Sequence, residues 1–135
     1  MNVLSLLQPL ASLVGMGVKT VETRSWQTAC RGELLIHASL GKSGGLIAQR
    51  PPFSKYIQEF SCLPFGAIFG KVILADIIPV DALYFSNEMI NKLALEKRAF
   101  GDYTKGRYAW MLEEPIAFEE IIRVKGSLML WNYDL

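Results

Sequence analysis

Apolar and polar positions change period several times along the chain, and each change marks an expected element. Asn2 to Leu6 reads as a short strand. Behind Pro9, a residue suited to a first helical position, Leu10, Leu13 and Val14 recur at helical spacing, and Gly15 and Gly17 end that helix. From Thr20 to Trp26 the pattern turns extended. Strand alternation there puts Thr20, Glu22, Arg24 and Trp26 on one face, a polar row that needs a reason. Gly32 to Ala38 alternates as a second long strand, with His37 on the face opposite Ile36.

Gly41 to Gly45 is a flexible loop in this reading, and Phe53, Tyr56, Ile57 and Phe60 repeat at helical spacing after Pro51-Pro52. Gly66 to Pro79 is a long β-branched run in which Gly70 allows a bend. Ser86 is placed to cap a helix burying Ile90, Leu93 and Ala94. After a turn-rich stretch from Gly101 to Gly106, three strands are expected over Arg107 to Glu113, Ile116 to Val124 and Ser127 to Asn132. Short strands with two or three helices imply an α+β domain around a small closed or partly closed sheet.

Composition narrows the classes. At 135 residues the chain is the size of one domain, residues 1–135, and no repeat or low-complexity linker divides it. Apolar residues reach 51% and charged residues only 20%, which excludes disorder and calls for a dense core. A formal charge of +1 removes the argument for a general polyanion binder, so any nucleic-acid contact must be local. Cys30 and Cys62 form no Cys-x-x-Cys motif, which suits two reduced thiols in a cytoplasmic protein. Val3 to Met16 imitates an apolar signal region, but no Lys or Arg precedes it and Gln8-Pro9 interrupts it, so neither an export signal nor a membrane partner is expected. No His, Asp and Glu cluster stands at ligand spacing, so no metal and no other cofactor is expected.

Candidate chemistry gathers in one stretch. Gln8-Pro9 is followed by Gly17-Val18-Lys19-Thr20-Val21-Glu22-Thr23-Arg24, and the pattern Gly-x-Lys-x-x-Glu-x-Arg after a first helix resembles the ASCH domain, the activating-signal-cointegrator homology family. Arg31 to Ser39, Gly66 to Val72 and Arg107 to Trp110 resemble, in order, later barrel strands of the same family. The resemblance implies a PUA-like β-barrel of five to seven strands with two or three flanking helices. It also implies a cleft between the first helix and the barrel, lined by the Lys and Glu of the motif and suited to RNA or a modified nucleoside.

The residues themselves offer the right groups. Lys19 sits at a turn within reach of a carboxylate or a phosphate, Glu22 can accept from a base amino group, and Arg24 can bind phosphate or a base edge in bidentate fashion. Tyr108 and Trp110 share a strand face and offer a stacking surface, or else two core aromatics. His37, the only histidine, is either a ligand group or a hydrogen-bonded structural residue. Glu22 with Arg24 also reads as a plain same-face ion pair.

Three functions follow. The first is an RNA- or nucleoside-binding module. The second is a metal-independent hydrolase, because some small bacterial members of the family deacetylate N4-acetylcytidine with a Lys, Thr and Glu constellation and others have ribonuclease activity. Lys19 matches their lysine, but the position of their threonine is Glu22 here; of the neighbouring hydroxyls Thr23 is expected on the strand face opposite Glu22, which keeps Thr20 as a candidate nucleophile, and the alternative is Glu22 as a general base that activates water. Glu88 matches a downstream glutamate by order only. The third is a protein-interaction domain, with Leu128, Leu130 and Trp131 mediating a homodimer.

Overall fold

The computed structural model of the chain describes residues 1–80 and 98–135. The Ser86-capped helix and Glu88 lie outside the described residues. Among these the strands are β1 (Asn2–Leu6), β2 (Val21–Arg24), β3 (Gly32–Ala38), β4 (Ala67–Pro79), β5 (Tyr108–Arg123) and β6 (Leu130–Asn132), with helices α1 (Leu10–Gly15) and α2 (Gly45–Ala48). They form one six-stranded sheet in the order β2-β5-β4-β3-β1-β6, in which only β1 and β3 run parallel. The sheet curls until its β2 edge meets the end of β1, giving the α+β half-barrel that the strand pattern implied and the PUA-like form that the family resemblance implied.

One apolar cluster fills the inside of the curl. Leu4, Leu6, Ile36, Val72 and Trp110 meet Ala11 and Val14 of α1 there. This explains why α1 is so short yet stays formed. Ala11 to Val14 are all buried, so the helix is held by packing on both sides, its other face meeting Ala48, Phe53 and Phe100 through Leu13. Gln8, fully enclosed, caps it by accepting from the Ser12 amide at 2.9 Å, while its Nε2 donates to the Pro64 carbonyl at 2.9 Å.

Four expectations are corrected. The strands expected over Arg107 to Glu113 and Ile116 to Val124 are one strand, because register shifts against β4 absorb the extra residues and Glu114 takes φ 49°. Gly70 stands at that bend, where a Cβ would lie 2.6 Å from the Ile116 carbonyl oxygen, so only glycine lets β4 and β5 approach. The helix expected over Phe53 to Phe60 is instead two single 3₁₀ turns, Phe53–Lys55 and Phe60–Cys62, and its aromatics still reach the core singly. The Gly41 to Gly45 loop runs straight into α2, and the last strand starts only at Leu130.

Candidate functional site

A cleft of about 970 Å³ opens where the end of β1, the start of α1, β2 and the loop between β5 and β6 converge. Glu22 and Arg24 of β2 both line it, as strand alternation required, and Thr23 between them lies at the same rim. Glu22 is only 5% exposed. Such a carboxylate needs partners, and it has them: Arg24 Nε donates to Oε2 at 3.0 Å, the Thr23 amide donates to Oε1 at 3.2 Å, and Lys19 Nζ lies 3.4 Å from Oε1.

Lys19 supports this floor from behind. Its ammonium donates to the carbonyls of Val21 at 2.7 Å and Phe100 at 2.5 Å, so its donors are spent on protein groups. Burial pulls its pKa below the usual 10.5, and the Glu22 charge opposes the fall. With Thr20, Lys19 borders a separate pocket of about 280 Å³ next to Glu113 and Glu114. Thr20 therefore stands apart from the cleft that Glu22 faces.

The same charges finish an edge of the sheet. β2 is an edge strand whose outward backbone groups would otherwise be open to pairing. Lys19 covers the Val21 carbonyl, Glu22 covers the Thr23 amide, and Arg107 donates through an Nη to the Thr23 carbonyl at 3.1 Å. On its other side Thr23 accepts from the Asp102 amide at 2.8 Å, and Asp102 in turn lies 3.6 Å from Arg107 Nε. Thr104 donates to the Asp102 carboxylate from both its amide and its hydroxyl, holding that carboxyl below the usual range. Tyr103 is pushed up to about 12 by burial and by the Glu22 charge, so it stays a phenol.

His37 borders the far end of the cleft in a closed network. Nε2 meets the Val124 carbonyl at 2.7 Å and Nδ1 meets Ser5 Oγ at 2.9 Å, which also accepts from Trp131 Nε1 at 3.0 Å. A carbonyl only accepts, so Nε2 carries a proton and, in the neutral ring, Nδ1 accepts the Ser5 hydroxyl. Every polar atom of the imidazole is thus used to tie β3 to β1 and to the end of β5. Tyr108 and Trp110 lie away from the cleft. Trp110 is fully buried against Trp26, ring centroids 4.9 Å apart, and half-buried Tyr108 packs on the same core, so the cleft is not walled by the aromatic pair expected to stack.

Residues that local pattern did not single out complete the lining. Ser5, Asp102, Lys125 and Gly126 join it because the sheet curls, a tertiary event with no local trace in the sequence. Arg107 belongs with them, although it opens one of the stretches that resembled the family.

A model of the ASCH domain matches residues 4–122. The chain belongs to the ASCH domain family. Among solved structures this ASCH chain is similar to an ASCH protein from Zymomonas mobilis, with 20% identity and a TM-score of 0.51 over 90% of this chain and 72% of that one. Two single-substitution variants of the Zymomonas protein, one tyrosine to phenylalanine and one serine to alanine, match at 20% identity and TM-scores of 0.49, covering 86% and 87% of this chain and 70% of theirs. No curated protein matches it. Among the described residues no helix is long and apolar enough to cross a membrane.

Proposed function

We propose that this ASCH chain binds RNA by taking an unpaired or modified nucleoside into the cleft. The observation that carries the reading is Glu22, a carboxylate sealed from bulk water except toward the cleft and held there by Lys19, Thr23 and Arg24. Of roughly four acceptor sites on a carboxylate, three are occupied by these donors, which leaves about one for an N–H on a base edge. Arg24, Arg107 and Lys125 border the same cleft and suit the phosphates on either side of that base. A volume of about 970 Å³ accommodates a nucleotide with room for its neighbours.

The second reading, a metal-independent hydrolase, draws on the same carboxylate. Glu22 would take a proton from water, while Arg24 beside it would stabilise the developing oxyanion. With Thr20 bordering the other pocket, that route needs no covalent step.

One set of incubations tests both. Fluorescence anisotropy with a labelled single-stranded RNA is expected to show saturable binding that Glu22→Gln weakens about tenfold or more, a loss of one charge-assisted contact. Chromatography of N4-acetylcytidine and of RNA left with the protein reports turnover. Saturable binding without turnover supports the recognition module, deacetylation or cleavage lost in Glu22→Gln supports the hydrolase, and neither binding nor turnover removes both.

A further inference from the structure

Folding leaves large apolar side chains in water at several places among the described residues, Met16, Ile116 and Ile121 among them, but five gather in one place. Leu7 from the turn after β1, Leu40 from the segment after β3, Ile47 from α2, and Leu128 with Met129 from the loop before β6 all border the one cleft. Leu40 is 70% exposed and Leu128 is 91% exposed. An apolar group gathered from separate segments around one opening marks a contact surface, whereas single exposed leucines do not.

The backbone under this rim is also strained. Met129 holds φ 59°, the left-handed region that a side chain with a Cβ normally avoids. This geometry presents Leu128 outward while Leu130 turns back to pack on the core. Strained positions of this kind cluster at active sites and ligand clamps, and this one stands beside the cleft.

Charge selects the occupant. Lys125 begins the same loop and Gly126 rests on Ser5, whose carbonyl accepts from Arg24 at 3.1 Å, so two cations attend the end of the cleft beneath an aliphatic mouth. A ligand that suits both has flat apolar faces joined to a polyanionic backbone. In a duplex those faces are already stacked; in a single strand they are free. Resting on the RNA reading above, we propose that the rim of Leu40, Ile47, Leu128 and Met129 is a clamp for one unstacked base of single-stranded RNA, an aliphatic counterpart of the aromatic platforms used elsewhere.

The experiment is anisotropy of a labelled RNA, free as a single strand and annealed as a duplex, with melting curves of each protein. Leu128→Ser removes a side chain almost wholly in water and Leu40→Ser one that is mostly exposed but rests on Gly66, so the melting temperature is expected to stay put for the first and to fall only slightly for the second, while single-strand affinity falls about tenfold for each, the scale of one lost base contact. Met129→Gly relieves the strain, so it is expected to hold or raise the melting temperature and still weaken binding. The duplex is expected to bind at least about tenfold more weakly than the single strand. The clamp is overturned if the serine variants bind like wild type while Glu22→Gln loses binding, an outcome that leaves the RNA reading standing. Equal binding of duplex and single strand overturns it too, as does a dimer in sedimentation that Leu128→Ser dissociates with RNA affinity intact. Absence of RNA binding by wild type takes both readings down together.

Discussion

Arg24 connects to Ser5 across a seam that no backbone hydrogen bond spans: while its Nε holds Glu22 at 3.0 Å, an Nη donates to the Ser5 carbonyl at 3.1 Å. β1 and β2 are separated by three strands in the sheet, so this one guanidinium brings the curl together and shapes the cleft at the same time.

Removing it has a defined cost. Arg24→Ala takes one donor from Glu22, leaving its Oε1 with Thr23 and Lys19, and one from the Ser5 carbonyl, and chemical denaturation is expected to show a loss of about 1–3 kcal/mol, the range for a polar group stranded in a largely buried site. Arg24→Lys is expected to recover little of it, since a single ammonium cannot serve two acceptors in the fork geometry of a guanidinium. A full recovery by lysine would mean that charge alone closes the seam.

Two buried groups give the alkaline stability profile opposite slopes. Lys19 has a folded pKa below its ordinary 10.5, so through that window the unfolded chain binds more protons and stability rises with pH. Tyr103 is raised from 10.0 to about 12, so its contribution is complete below about pH 10 and is lost as the pH climbs toward 12. Denaturant midpoints across this range are expected to rise and then fall. Lys19→Met should flatten the rising limb, and Tyr103→Phe should soften the falling one.

Gly126 lies directly against the His37 network. A Cβ there would stand 2.5 Å from His37 Cε1 and 2.6 Å from Ser5 Oγ, both held in place by other bonds. Gly126→Ala is therefore expected to lower stability by about 1–3 kcal/mol, the cost of overpacking. It should also push the loop carrying Lys125 and Leu128 outward, which weaker RNA binding would report.

Much of this could be read in the sequence, and the rest could not for identifiable reasons. β1 and β3 have the bounds that the sequence pattern implied, although from Leu34 to Ala38 β3 is buried on both faces, as a central strand between β1 and β4 is. Phe53, Ile57 and Phe60 kept helical spacing without a helix, because each needs only to touch the core beneath α1 and single turns suffice. Glu22 and Arg24 were legible as a pair, being two apart on one strand. Lys125 and Ser5 were not, because what unites them is the curl. Trp110 misled for a related reason: it sits directly opposite Glu22 in register, yet there the inside of the curl is dry.

Salt dependence measures how many phosphates the cleft holds. Lys19 is spent on carbonyls, which leaves Arg24, Arg107 and Lys125 as the cations along the cleft among the described residues. About three contacts at about −0.7 each give a slope of log K against log salt near −2 for a single strand. A slope steeper than about −4 would place the RNA on a broader surface than this cleft.

Amide chemical shifts of the uniformly labelled protein, followed while a short single-stranded RNA is added, test the central claim most directly. Shifts are expected to concentrate on Glu22 to Arg24, on Leu40 to Gly44 and on Lys125 to Met129, three segments far apart in sequence that the cleft brings together. Shifts confined to other surfaces, or none at low salt, would contradict an RNA-binding role for this cleft.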